Sequence, residues 1–176
     1  MTTRIRLANE HDTEQLSTLS RQTFSDNFGH LYTAENLEYH LQKTCSPEFF
    51  AGALEGGDVI TVACEGEHLV GYAKGGLVGL PVENLPAGYD PAQSREIHRL
   101  YVTTPFQTKG IGHALMQSLM DMPDIAGARM LYLGVWENNT RAQRFYARYG
   151  FATISEYRYY VGTHVDRELI MARENY

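Results

Sequence analysis

A strand, a glycine turn and a helix follow one another in the segment Glu96-Ile97-His98-Arg99-Leu100-Tyr101-Val102-Thr103-Thr104-Pro105-Phe106-Gln107-Thr108-Lys109-Gly110-Ile111-Gly112-His113-Ala114. Gly110 and Gly112 let the backbone approach a ligand without Cβ obstruction, and successive N–H groups at a helix start form a ready site for a pyrophosphate. Lys109 adds positive charge at the rim. A hydrogen bond to a charged group contributes about 1.5–3 kcal/mol, so a handful of such N–H groups anchors a diphosphate without reading a base. Gly-x-Gly alone also occurs in structural turns, so its neighbours must decide which phosphate class it serves. A dinucleotide fingerprint would place a third glycine where Leu115 stands, and a P-loop would require Gly-Lys-[Ser/Thr], whereas the order here is Lys109-Gly110-Ile111. Neither nucleotide class fits.

The elements that must hold this turn are written in the apolar pattern. Ile5 to Ala8 is a short β-type run, and Asp12 stands where it would cap a helix carrying Leu16, Leu19 and Phe24 on one face. Thr33 caps a second helix reaching about Lys43, with Leu37 and Leu41 spaced i, i+4. Val59 to Cys64 and Leu69 to Ala73 read as an antiparallel hairpin joined by Glu65-Gly66-Glu67-His68. From Gly79 to Ser94, with Pro81, Pro86 and Pro91, periodicity is lost, and so long a loop in a compact domain is usually functional or mobile. The second half then alternates: a strand at Glu96 to Val102, a helix from about Thr108 to Met120, a strand at Met130 to Trp136, a helix from about Thr140 to Tyr149, and strands near Ala152 to Val161 and Asp166 to Met171. Ile111, Leu115, Ser118, Leu119 and Met122 fall on one stripe, so that face of the third helix packs on the sheet.

Size and charge narrow the function classes. A chain of 176 residues predicts one core and one domain, 1–176, and 43% hydrophobic with 20% charged residues is the usage of a folded globular chain. A net charge of -6 argues against nucleic acid, which would need clustered Lys and Arg, and suits a cationic small molecule better. Cys45 and Cys64 lack C-x-x-C spacing and nearby His pairs, so they are expected to be reduced and structural, with no metal. Met1 to Arg6 lacks an apolar signal core, and no stretch approaches the roughly 20 apolar residues of a bilayer span, which predicts a cytoplasmic chain without a membrane partner.

Gln107-x-x-Gly110-x-Gly112 after Leu100-Tyr101-Val102 resembles the pyrophosphate signature of the GNAT superfamily of N-acetyltransferases. Asn139-x-x-Ala142-x-x-Phe145-Tyr146-x-x-x-Gly150-Phe151 resembles the family's next block, and the element order along the chain is similar. The resemblance implies an α/β (α+β) fold: a twisted mixed sheet of about seven strands, flanked by about four helices, with strands 4 and 5 splayed. It implies acetyl-CoA as cosubstrate, with the backbone of Leu100, Tyr101 and Val102 pairing to pantetheine. Gln107, Thr108, Lys109, Gly110, Ile111, Gly112, His113 and Ala114 would wrap the pyrophosphate, Asn139 would bond the pantetheine arm, and Arg148 would reach the nucleotide phosphates.

Acetyl transfer to an amine needs a base for the ammonium, donors for the thioester oxygen and an acid for the departing thiolate. By resemblance Tyr146 is the acid near the sulfur, and Glu96 lies at the interval before Gln107 where the histone acetyltransferase branch holds a basic glutamate. His98 is the alternative base, and strand alternation would put it on the same face as Glu96. Phe24 to Tyr32, with Asp26, Glu35 and Glu38, would suit a cationic acceptor. Phe28-Gly29-His30-Leu31-Tyr32, Arg99-Leu100-Tyr101-Val102, Leu133-Gly134-Val135-Trp136-Glu137 and Leu169-Ile170-Met171 look like bacterial members described as spermidine/spermine N-acetyltransferases, which makes a polyamine the expected acceptor. Amino-acid, peptide and antibiotic amines, and a non-catalytic acyl-CoA sensor, are the alternatives. Tyr157, Tyr159 and Tyr160 in the closing strands point to a homodimer.

Overall fold

The computed structural model describes residues 3–175; Met1, Thr2 and Tyr176, the ends of the expected domain, lie outside the described residues. Along the chain run β1 (Arg4–Leu7), α1 (Thr13–Phe28), α2 (Ala34–Cys45), α3 (Pro47–Glu55), β2 (Val59–Glu65), β3 (His68–Gly76), β4 (Ser94–Val102), α4 (Ile111–Met120), α5 (Pro123–Ala126), β5 (Met130–Trp136), α6 (Thr140–Ala147), β6 (Ala152–Val161) and β7 (His164–Glu174). The strands form one sheet in the order β1-β2-β3-β4-β5-β7-β6. Every neighbouring pair is antiparallel except β4 and β5.

Alternation along the central strands sends side chains to two cores. On one face Ala63, Ala73, Leu131 and Leu133 pack with Ile111, Leu115, Met116 and Leu119 of α4; on the other, Ile60, Val62, Cys64 and Tyr72 pack with Leu16 and Leu19 of α1 and Phe50 of α3. The stripe expected on α4 is therefore a core face, and Cys45 and Cys64 are buried free thiols.

The strands occupy the expected segments, but the helices depart from expectation. The sequence pattern predicts four helices, and α3 and α5 add two more among the described residues. The signal for α3 is present as Ser46-Pro47: Ser46 Oγ accepts from Phe49 N at 3.1 Å, and Pro47 fits a first turn. α4 starts at Ile111 rather than Thr108, because Thr108 (φ 65°) and Gly110 (φ 81°) adopt left-handed backbone that no right-handed helix admits. Asp12 makes no side-chain cap to α1; its carboxylate pairs with Arg6 at 2.7 Å and takes the Asn9 N–H, while Asn9 caps the preceding turn. The Gly79–Ser94 segment is anchored, since Leu80 and Leu85 are buried against Tyr132, Ile170 and Ala172.

Two irregularities of β4 shape the site. β4 and β5 pair only at Ser94–Met130, Arg95–Leu131 and Glu96–Tyr132. Beyond that fork β4 stays with β3 through Val102, and β5 stays with β7 through Trp136. In the β3–β4 ladder Lys74 faces Arg99 and Gly75 faces Ile97, so His98 is an extra, bulged residue. The bulge resets the alternation: Ile97, Leu100 and Val102 pack on the α4 side, and Tyr101 packs on the α1 side.

Gly76, at the end of β3, leaves space for a buried ion pair. A Cβ there would lie 2.0 Å from Asp58 Oδ1, whose carboxylate holds Lys74 Nζ at 2.5 Å. Gly76→Ala must push Asp58 off a lysine that is 5% exposed, and breaking a buried pair of this kind costs about 3 kcal/mol or more. Urea denaturation checks this, and a loss below about 1 kcal/mol would contradict it.

Candidate active site

The fork between β4 and β5 separates two cavities that meet across it. One, of about 480 Å³, is lined by Gln107, Thr108, Gly110, Gly112 and His113, by Arg141 and Arg144 of α6 and by Arg148 at its C-terminal cap. The other, of about 350 Å³, is lined by Glu96, His98 and Arg99 of β4, Asp166 and Glu168 of β7, and the aromatic rings of Phe24, Phe28, Tyr32 and Trp136. Leu100, Tyr101, Asn139 and Tyr146 line both.

The larger cavity is built to hold an anion on backbone groups. The first intrahelical bond of α4 runs from Ala114 N to Gly110 O at 3.0 Å, so the N–H groups of Ile111, Gly112 and His113 precede the ladder, whereas that of Ala114 is committed to it. Ile111 contributes only its backbone, its side chain being in the core. Gln107 fixes the turn, with Nε2 donating to Val102 O and Oε1 accepting from Arg141, each at 3.0 Å. Lys109 rests over the Phe106 ring at 4.8 Å and is not among the lining residues. Arg148 lies over Phe145 at 5.5 Å and does line the cavity. Arg141 and Arg144 escaped the sequence reading, although the 141, 144, 148 spacing places three guanidinium groups along one helix face. Asn139 caps α6, its Oδ1 accepting from Ala142 N at 3.1 Å, which leaves Nδ2 as a donor in a residue shared by both cavities.

The smaller cavity is dominated by buried ionisable groups. Glu96 Oε2 accepts from Gly79 N at 2.7 Å; burial pushes its carboxyl up to about 7, against that hydrogen bond and the Lys74 charge, with Glu168 adding to the rise. Burial likewise pushes Glu168 up to about 7, opposed by the hydroxyl of Tyr157 at 2.6 Å and reinforced by the charge of Asp166. Asp166 accepts from Tyr32 at 2.6 Å. His98 lies 3.8 Å from Glu96, and Ile97 between them packs on the α4 side, so the two share a face as strand alternation predicts; the bulge then brings Arg99 to that same face. Its Nε2 faces the Leu77 carbonyl at 2.9 Å and must carry the proton, while Nδ1 faces Lys74 Nζ at 2.8 Å; burial, then the Lys74 charge, lowers it to about 4. Tyr146 makes no side-chain hydrogen bond among the described residues, and burial alone raises its phenol above the ordinary range. The acidic residues expected to face an acceptor do not: Asp26, Glu35 and Glu38 are exposed, and Glu38 pairs with Arg21 at 2.8 Å. Asp166 and Glu168, read from sequence only as part of the last strand, line the smaller cavity instead.

A family model for the acetyltransferase (GNAT) family matches residues 14–151. An uncharacterized N-acetyltransferase in the pepI 3′ region of Lactobacillus delbrueckii subsp. lactis is 30% identical over 155 residues, 87% of this chain and 86% of the relative. The spermine/spermidine N(1)-acetyltransferase of Bacillus subtilis (strain 168) is 30% identical over 84 residues, 46% of this chain and 55% of that protein. Among solved structures, the PaiA N-acetyltransferase of Thermoplasma acidophilum in complex with coenzyme A superposes with a TM-score of 0.75 at 20% identity, covering 99% of each chain. The chain belongs to the GNAT family of acetyltransferases. It is an acetyl-CoA-dependent N-acetyltransferase. The residues present fit that cosubstrate: helix-start N–H groups and three arginines for its phosphates, and the unpaired edge of β4 for its amide-bearing arm.

Gly112 separates ligand binding from folding. A Cβ at this position meets only Val102 Cγ2 at 4.0 Å, so Gly112→Ala is expected to fold with unchanged or raised stability. The added methyl obstructs a phosphate on the helix start, and coenzyme A is expected to bind at least about tenfold more weakly, the loss of about one charged hydrogen bond. Titration calorimetry reads this, and an unchanged dissociation constant would contradict it.

Proposed function

We propose that the chain moves the acetyl group of acetyl-CoA onto a primary amine of a polyamine-type acceptor, such as spermidine or spermine, bound in the 350 Å³ cavity. The observation that carries the reading is the meeting of the two cavities at Tyr146, with Glu96 on the acceptor wall. Carboxylates at Glu96, Asp166 and Glu168 and the rings of Phe28, Tyr32 and Trp136 suit ammonium groups on an aliphatic chain. The name of the Bacillus subtilis relative supports the same acceptor class.

The thioester supplies an activated acetyl group; in the reaction an N–C bond forms, the C–S bond breaks, and the amine proton must leave. An alkylammonium has a pKa near ~10.4, so a base is required at neutral pH. Glu96 takes this proton, since a buried carboxyl near 7 is both ionised often enough and basic enough to accept it. His98 is unsuited: one ring nitrogen donates to Leu77 O and the other is occupied by Lys74. Tyr146, kept protonated by burial, holds the proton destined for the sulfur. The N–H of Leu100, on the edge of β4 turned away from β3, supplies a donor for the carbonyl oxygen.

Glu96 ionises as pH rises through about 7, so kcat/KM for spermidine is expected to climb over that range. Glu96→Gln removes the rising limb, and Glu168→Gln shifts it to lower pH by deleting a neighbouring negative charge. A profile that keeps its limb in Glu96→Gln would contradict the assignment of the base. Tyr146→Phe is expected to lower kcat at least about tenfold, measured as thiol release, and a change smaller than threefold would remove Tyr146 as the acid.

A further inference from the structure

The acceptor cavity contains a cation that amine transfer leaves unused. Arg99 Nη1 donates to Thr44 O at 2.7 Å and approaches Ser20 Oγ and Tyr72 OH at 3.3 and 3.4 Å, all uncharged partners. One face of the guanidinium lies over the Phe49 ring, 4.8 Å from its centre. Lys74, a second cation on this cavity, is neutralised by Asp58; Arg99 makes no ion pair among the described residues. Among the described residues Nε and Nη2 make no hydrogen bond, and no buried side-chain nitrogen or oxygen is left without a partner. Those N–H groups therefore reach open space. Arg99 lines the acceptor cavity and not the one bounded by Gly112 and α6, so the space they reach is the acceptor's.

A guanidinium removed from bulk water without a counter-ion is costly, and the cost falls when an anion docks on it. The Nε–Nη2 edge presents two parallel N–H bonds, the arrangement that grips a carboxylate side-on. The Thr44 bond and the Phe49 ring hold that edge in place, so little rotamer freedom remains to be lost on binding. We propose that Arg99 is a specificity-determining residue that binds a carboxylate on the acceptor, so that the enzyme takes basic amino acids as well as polyamines. The proposal rests on the amine-transfer reading and adds a class to it: Glu96, Asp166 and Glu168 serve the ammonium groups, and Arg99 serves a carboxylate on the same molecule.

Lysine and cadaverine, or ornithine and putrescine, differ only in that carboxylate. The experiment measures kcat/KM for both pairs with the native enzyme, Arg99→Lys and Arg99→Met, and in parallel measures lysine binding by calorimetry. The native enzyme is expected to bind and acetylate lysine, and the lysine-to-cadaverine ratio of kcat/KM is expected to fall at least tenfold in both variants. Arg99→Lys keeps a positive charge against Thr44 and Phe49 but loses the fork, so it guards against a fall caused by misfolding. An unchanged ratio, or a native enzyme that turns over cadaverine yet neither binds nor acetylates lysine, overturns the proposal. Lysine binding that depends on Arg99, with no turnover of any amine, supports the carboxylate site and faults the amine-transfer reading instead.

Discussion

β4 and β5 share ladder positions only from Ser94 to Glu96, so the backbone groups on the facing edges beyond that point must be satisfied by something other than each other. Such a gap would close or collapse if its strands were loose. Here each strand is pinned on its far side, β4 by β3 through Val102 and β5 by β7 through Trp136, and the ladders hold the two edges apart. Both cavities, the shared Tyr146 and the exposed β4 edge arise from that geometry. An extended ligand carrying amides would take the place of the missing strand, and a cosubstrate bound so would be held by the sheet itself instead of by a mobile loop.

The same fork sorts charge. The protein is acidic overall, at -6, yet Arg141 and Arg144 of α6, Arg148 just after it and the start of α4 face one cavity, while Glu96, Asp166 and Glu168 face the other beside Lys74 and Arg99. Glu96 is the last paired residue of β4 at the fork and is 8% exposed. Its position there explains its chemistry: Gly79 N–H holds it as an acceptor, while burial keeps its proton affinity near neutral. Gly134 on β5 contributes by absence, since a Cβ there would come within 2.9 Å of Glu168 Oε2 and collide with the Tyr157 hydroxyl bonded to it.

Local signals in the sequence locate much of this architecture. Period-2 runs mark the strands, Thr33 caps α2 as its type predicts, and the Gln107–Gly112 turn joins β4 to α4 in the expected strand–turn–helix order. The misses have two physical origins. Ser46-Pro47 is a local start signal that apolar periodicity alone does not show, and the φ of Thr108 delays α4 in a way that residue type does not reveal. The others depend on contacts distant in sequence. The bulge at His98 exists only in the register of β3 on β4, and Asp166 and Glu168 reach the cavity only because β7 inserts between β5 and β6. The acidic residues of α1 and α2 are nearer in sequence to the expected acceptor segment, but helical phase turns them to solvent.

Hydrogen exchange with and without coenzyme A tests whether the unpaired edge of β4 and the start of α4 together hold the cosubstrate. Slowed exchange is predicted for the amides of 97–102 and 111–113, with β1 and β2 unchanged. Binding that leaves those amides unprotected would mean that the cosubstrate is held elsewhere.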